Sequence, residues 1–239
     1  MDGVATPTQR TALTDTGWRS PRQLAGLSGL GMLAAILANG PLAAARGVPQ
    51  YWEPDGATRV GERLQDQASF VPTLAFFFIS TLIFAFGIPF AAGLRGVVRE
   101  HSPDGLGADV VLLGAALFFG AGLLSEVLST GFAIVVNSAP SYVLDANAVV
   151  GVQALQFAAL VQGQVGLGLV VIAVSLAIAR RDRAPRWLVV IGFIAGSLDL
   201  IRPLAAANPP LAIGLLLPTF VWIAAISGWL LRTPAAVNR

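Results

Sequence analysis

Two carboxylates, Glu126 and Asp199, stand inside long apolar stretches of this sequence. A charged side chain in hydrocarbon is costly, so such residues usually face a cavity or a partner and mark functional sites. Burial favours the protonated form of a carboxyl group, which can then donate its proton near neutral pH. We therefore predict that Glu126 and Asp199 act as catalytic acids.

Further polar residues fall at similar depths in the neighbouring stretches. Gln153, Gln156 and Gln164 share one face of a predicted helix, because their spacing follows the helical repeat. The converging depths predict a polar pocket that opens outward and is lined by these glutamines and by the two carboxylates. The residues predicted to bind a substrate there are Arg202, Gln153, Gln156, Gln164, Ser129 and Trp52.

Each of these residues also has a purely structural interpretation. Asp199 and Arg202 are three residues apart, which is the spacing of an ordinary ion pair within one helix. Arg202 can also extend to the lipid headgroups, and the glutamine face can hydrogen-bond to a neighbouring helix. Glu126 has no charged neighbour one turn away, so it must be protonated, paired across helices or solvated in a cavity.

Six apolar stretches must position these side chains. Hydrophobic residues make up 55% of the 239 residues and charged residues only 12%, whereas soluble domains carry about 25% charged residues. A membrane-spanning helix needs about 20 mostly apolar residues. We predict an all-α fold, a polytopic membrane bundle of six transmembrane helices. The predicted spans are residues 24–45, 70–94, 108–136, 148–179, 187–206 and 210–231.

The arginine distribution predicts the orientation. All 15 basic residues are arginine, and eleven of them lie on the side that also holds both predicted termini. The positive-inside rule places this side in the cytoplasm, so the prediction is N-in/C-in. We predict a disordered cytoplasmic N-terminus at 1–22, a six-helix transmembrane domain at 23–232 and a cytoplasmic tail at 233–239.

Two features of this topology carry further expectations. An outer loop at 46–69 holds Trp52, and its residues 57–67 are predicted to form a short interfacial helix, so the loop is placed to cover the pocket. The first span has an alternative as a cleaved signal peptide, because Arg22 precedes an apolar run that ends in three alanines at 43–45.

Composition excludes several classes of site. The chain has no cysteine, no lysine and one histidine. Metal and haem sites usually need several His or Cys ligands, and a Schiff base needs lysine, so we predict no metal and no cofactor. The arginines follow membrane topology, so no nucleic acid is expected. The expected partners are membrane lipids and an apolar small molecule.

Small residues form stripes on several spans. Gly192 and Gly196 make a G-x-x-x-G pattern, and Gly163 with Gly166 and Gly114 with Ala121 make similar faces. Such stripes let helices approach closely. We expect them to pack the bundle, with a homo-oligomer as the second interpretation.

Three short segments resemble a broad bacterial family of six-span membrane proteins of unknown function that is common in actinobacteria. They are Leu-Ala-Gly-Leu at 24–27, Gly-Ala-Thr at 56–58 and Ala-Pro-Arg-Trp-Leu at 184–188. The resemblance covers about residues 23–205 and implies a multi-pass protein of the bacterial cell membrane. In size and helix count alone, the chain is also similar to membrane-bound terpenoid cyclases, which protonate an alkene or epoxide.

Three functions compete on these grounds. The best supported is an intramembrane enzyme of the cyclase or isomerase type, in which a buried carboxylic acid acts on an isoprenoid or other lipid-like substrate. A small transporter or efflux component is the first alternative, although the polar groups do not continue to the cytoplasmic side. A non-catalytic membrane subunit is the second alternative.

Overall fold

A computed structural model describes residues 20–47, 50, 52–65, 70–101, 105–138, 145–180 and 184–232. Within these ranges the chain forms helices and no strand, which confirms the all-α prediction. The predicted disorder at 1–22 and the predicted tail at 233–239 lie largely or wholly outside the described residues. The helices are α1 (Pro21–Arg46), α2 (Gly56–Gln65), α3 (Phe70–Arg99), α4 (Leu106–Ser138), α5 (Ala146–Ala179), α6 (Arg186–Ile201), α7 (Pro209–Gly214) and α8 (Leu217–Arg232), with a 3₁₀ helix at Arg202–Ala205.

Six segments of the described chain are long and apolar enough to cross a membrane, as predicted. The boundaries agree with the sequence to within about five residues, and the short helix expected in the loop after the first span is α2. These segments have the length and composition of a multi-pass membrane protein. They are Pro21–Ala45, Val71–Arg99, Leu106–Gly131, Asn147–Ala179, Arg186–Ala205 and Pro209–Arg232.

Local signals fix where two of the long helices begin. Ser20 caps α1 by accepting a hydrogen bond from the Gln23 amide, while the Gln23 side chain accepts one from the Ser20 amide. This reciprocal pair satisfies two amides that the first helical turn leaves free. Asp145 caps α5 with a single hydrogen bond, which its Oδ1 accepts from the Ala148 amide at 2.9 Å.

The six spans form a closed ring in chain order. Each span contacts the next, from α1 through α3, α4, α5 and α6 to α8, and α8 returns to contact α1. Helix α5 is the most enclosed span, with 61% of its apolar window buried. Helix α2 packs against α4 and α5 at one end of the ring.

One end of the bundle is rich in arginine, and we call it the arginine end. Helices α1, α4 and α6 begin there and α3, α5 and α8 end there, and Arg22 of α1 pairs with Glu100 after α3. The arginine end is also where Arg95 of α3 lies 3.7 Å from Asp109 of α4. Helix α2 lies at the opposite end.

Large apolar side chains cover the outside of the ring. Phe78 is 64% exposed and Leu204 is 85% exposed, and they are two of many such residues. A contiguous apolar surface of this extent is unfavourable in water but matches hydrocarbon. The outward faces therefore agree with the membrane assignment.

Glycines bring the spans into backbone contact, as the small-residue stripes predict. A Cβ atom at Gly166 of α5 would lie 2.3 Å from the Gly114 oxygen of α4, and one at Gly168 would lie 2.8 Å from the Gly196 oxygen of α6. Real Cβ atoms do not approach backbone oxygens this closely. Both interfaces of α5 therefore depend on glycine.

We expect Gly166→Ala to destabilise the protein, because the added methyl group meets the backbone of α4 rather than a movable side chain. Overpacking of this kind costs about 1–3 kcal/mol. Thermal unfolding in detergent measures the change. Gly151→Ala is the matched control, since α5 has open space at Gly151, and equal melting temperatures for the two variants would contradict the prediction.

Candidate functional site

Glu126 lines a cavity inside the ring. The cavity has a volume of about 260 Å³ and is bordered by α1, α3, α4, α5 and α8 together with the connection between α7 and α8. Its wall is mostly apolar and aromatic. The lining residues are Met32, Ile36, Asn39, Phe76, Ser80, Ile83, Phe84, Phe118, Gly122, Ser125, Glu126, Gln156, Leu160, Gln164, Leu167, Leu216, Phe220 and Ile223.

The polar residues of this cavity come from four different spans. Asn39 of α1 donates a hydrogen bond to the Ser80 hydroxyl of α3 at 3.0 Å. Gln164 of α5 is only 3% exposed, and its Oε1 has no hydrogen-bond partner among the described residues. The Oδ1 atom of Asn39 is also buried without a hydrogen-bond partner among the described residues. A buried amide oxygen without a partner costs free energy, so these two atoms favour a bound group that donates hydrogen bonds.

A second cavity of about 240 Å³ adjoins the first. The two share four lining residues, which are Phe76, Ser125, Gln156 and Leu160. The second cavity adds Gln153, Ser129 and Trp52 of the predicted site. Trp52 packs against Phe157 of α5, with ring centroids 5.4 Å apart, so the loop before α2 covers this side of the space.

Most of the predicted site residues therefore surround one pair of adjoining cavities. Glu126, Gln156 and Gln164 line the first, and Gln153, Ser129 and Trp52 line the second together with Gln156. These residues lie on three elements that are distant in sequence. The sequence predicted this grouping from the depth of the span residues and from the outer loop that holds Trp52.

Asp199 and Arg202 lie elsewhere. Both are fully buried, and neither lines either of the two cavities. Thr219 of α8 donates a hydrogen bond to Asp199 Oδ2 at 2.8 Å, and Arg202 donates one from Nε to the carbonyl oxygen of Ala212 in α7. The structure thus separates the two carboxylates that the sequence predicts as acids.

The sixth span is interrupted between these two contacts. Helix α7 ends at Gly214 and α8 begins at Leu217, with turns between them. Arg202 binds the carbonyl end of α7, and Asp199 binds the first turn of α8. A cation at the carbonyl end of a helix and an anion at its amino end both interact favourably with the helix dipole. The Asp199–Arg202 pair therefore holds both halves of a broken span.

Asp199 and Arg202 each also have polar atoms that no described residue binds. Asp199 Oδ1 and Arg202 Nη1 and Nη2 are buried and have no hydrogen-bond partner among the described residues. The two charges are close enough to interact, but the guanidinium of Arg202 forms no direct ion pair with the Asp199 carboxylate. Removing one charge would still leave the other buried without a nearby opposite charge, which is costly. The two residues are therefore expected to be strongly coupled in stability.

The sequence did not indicate several parts of the site. The break in the sixth span had a local signal, because Gly214 and Pro218 flank it, but both also occur within continuous membrane helices. The aromatic wall of Phe76, Phe84 and Phe118 was not predicted, because phenylalanines recur around α3 and α4 and their type alone does not show which of them face the cavity.

The comparisons with known proteins give no further assignment. No family model, no curated protein and no solved structure matches the chain. Among the described residues, no three His, Asp or Glu side chains are grouped closely enough to hold a metal ion. The resemblance to a bacterial six-span family therefore remains a prediction.

We expect Arg202→Met to destabilise the protein by about 1.5–3 kcal/mol, because the charged hydrogen bond to the Ala212 carbonyl is lost. Asp199 would also remain buried without a nearby positive charge. The double variant Asp199→Leu with Arg202→Met should therefore lose less than the sum of the two single variants. Thermal unfolding of all three in detergent measures this coupling. The exposed Arg186→Gln serves as the control, and additive single losses would contradict an interaction between the two charges.

Proposed function

We propose that this chain is an intramembrane enzyme that binds an apolar, lipid-like molecule and protonates it with Glu126. The observation that carries the proposal is the position of this carboxyl group in the wall of a mostly apolar cavity. Small-molecule sites are typically apolar spaces of about 300–1,000 Å³ with a few placed polar groups. The two adjoining cavities together fall in this range.

The polar groups of the cavity favour a substrate with one hydrogen-bonding group. Gln164 and Asn39 have amide oxygens that no other described residue binds, and Gln156 lines both cavities. A hydroxyl group would satisfy such atoms, whereas a free phosphate would meet no arginine in the lining. The proposed substrate class is therefore an isoprenoid or similar lipid with an uncharged polar end.

Glu126 would begin the reaction by transferring its proton to a carbon–carbon double bond or an epoxide oxygen. In an alkene, the π electron pair forms the new C–H bond and a carbocation develops at the neighbouring carbon. In an epoxide, an oxygen lone pair takes the proton, the C–O bond breaks, and the carbocation develops at the carbon that loses the oxygen. The faces of Phe76, Phe84 and Phe118 would stabilise this cation. Ring closure or a shift of the double bond ends when a neighbouring proton returns to the Glu126 carboxylate.

Asp199 and Arg202 have a positioning role in this proposal rather than a catalytic one. They hold α7 and α8, and the connecting residue Leu216, together with Phe220 of α8, lines the cavity. We further propose that the protein lies in a bacterial cell membrane with the arginine end in the cytoplasm. The cavities then lie toward the outer side, where Trp52 covers them.

Glu126→Gln should abolish conversion while retaining binding, because the amide keeps the shape of the side chain but has no acidic proton. Lipids that co-purify with the wild type and the variant can be separated by liquid chromatography and identified by mass spectrometry. Cyclisation or isomerisation leaves the mass unchanged, so the expected result is a change in retention time at constant mass.

The exposed Glu62→Gln in α2 is the matched control and should retain the wild-type lipid. Melting temperatures of all variants show whether each is folded. Identical bound lipids in the wild type and in Glu126→Gln would contradict the acid role and leave a binding function.

Leu160→Trp should block binding, because Leu160 lines both cavities. The same substitution at Leu155, which is 61% exposed on α5 and lines neither cavity, is the matched control. We expect at least a tenfold loss of co-purified lipid in the first variant only, measured per mole of folded protein. Equal retention by both variants would exclude these cavities as the binding site.

A small transporter is the second candidate, and the interruption between α7 and α8 favours it. Broken membrane helices often border the binding sites of transporters, and Ile213 and Leu216 at this break line the two cavities. Against transport, α4 and α5 are in backbone contact at Gly114 and Gly166, where the first cavity reaches its limit toward the arginine end at Leu167. Lipid movement between leaflets of reconstituted vesicles, with unchanged lipid chemistry, would favour transport over catalysis.

A further inference from the structure

A separate groove runs along the outside of α5 to the arginine end. Its volume is about 260 Å³, and its residues come from the end of α3, the start of α4 and the last third of α5. No residue of this groove lines the two cavities described above. The lining residues are Val98, Leu106, Gly107, Val110, Leu169, Ile172, Ala173, Leu176, Ala177 and Arg180.

One continuous face of α5 forms the floor of this groove. Leu169, Ile172, Ala173, Leu176 and Arg180 recur at intervals of three and four residues, so they share a single side of the helix. The face is apolar throughout and ends in one cation, Arg180, which is exposed. Gly107 on the α4 side has no side chain to fill the space.

The length of the groove matches one leaflet of a bilayer. Arg180 is the eleventh residue after Leu169, which corresponds to about 16 Å along a helix. The hydrocarbon core of a bilayer is about 30 Å thick, so the groove extends over about half of it. Its apolar part would lie beside acyl chains while Arg180 lies at the level of the headgroups.

The charge at the mouth of the groove favours an anion. The arginine end carries Arg99, Arg180 and Arg186 as exposed residues. The described acidic groups nearby already have cationic partners, since Asp109 pairs with Arg95 and Glu100 with Arg22. An arginine guanidinium is well suited to a phosphate group because it can donate two hydrogen bonds to it.

We propose that this groove binds an anionic phospholipid, with an acyl chain on the α5 face and the phosphate against Arg180. The site is independent of the proposed function, because it lies outside the ring and shares no residue with the cavities. The occupant is a membrane lipid rather than a free phosphate, because the groove offers ten lining residues of which nine are apolar or glycine.

Native mass spectrometry of the purified full chain tests the proposal. The protein is released from detergent containing equal amounts of phosphatidylglycerol and phosphatidylcholine, and the fraction that carries each lipid is measured. We expect the wild type to prefer phosphatidylglycerol. Arg180→Gln should reduce that preference about fivefold, the effect of one basic residue at a membrane surface, and Arg180→Lys should retain part of it.

Arg186→Gln is the matched control, because Arg186 is exposed at the same end but does not line the groove. Ala173→Phe, which fills the groove, should reduce binding of phosphatidylglycerol even though Arg180 remains. Equal losses in Arg180→Gln and Arg186→Gln would overturn the proposal in favour of general surface charge. Full displacement by glycerol phosphate would also overturn it, because the acyl chain would then contribute nothing.

Discussion

The buried pair of Asp199 and Arg202 is the constraint on which the closed ring depends. The sixth span is interrupted by a turn at Leu215 and Leu216, although backbone hydrogen bonds join Leu216 to Ile213 on one side and to Phe220 on the other. Two buried side chains add a contact on each side of this turn, since Arg202 binds the carbonyl end of α7 and Asp199 binds Thr219 in α8. Contacts of α6 with α8 close the ring at this position. The wall of the cavity that these halves form therefore depends on two charged residues that do not themselves line it.

Glycine contacts supply the complementary constraint on the other side of the ring. Gly166 and Gly168 of α5 bring α4 and α6 to backbone distance, which gives van der Waals contact where lipid provides no hydrophobic driving force between helices. The cavities lie along another face of α5, where Gln156, Leu160, Gln164 and Leu167 recur at helical intervals among these glycines. Glycines of α5 thus pack against the neighbouring helices, while larger side chains on a different face of the same helix line the cavities.

The sequence predicted the spans and much of the candidate site, but not its architecture. Apolar length alone placed six helices, and helical spacing placed Gln153, Gln156 and Gln164 on one face that lines the cavities. The same spacing could not separate Glu126 from Asp199, because depth in a membrane does not show which way a side chain points around the helix. Pro218 indicates a kink or an end near Leu216, but the continuous hydropathy of the span does not show that the helix is interrupted there by a turn of two apolar residues.

The separation of the two carboxylates restricts the chemistry that can be proposed. A hydrolase of the two-carboxylate type needs an acid and a second carboxylate within about 10 Å across a shared site. Asp199 is bound to Thr219 outside the cavities, so the proposed acid step would use Glu126 alone. One carboxyl group can donate a proton at one carbon and recover a proton from a neighbouring carbon. Net isomerisation or cyclisation is the outcome of that cycle, because it consumes neither water nor a second reagent.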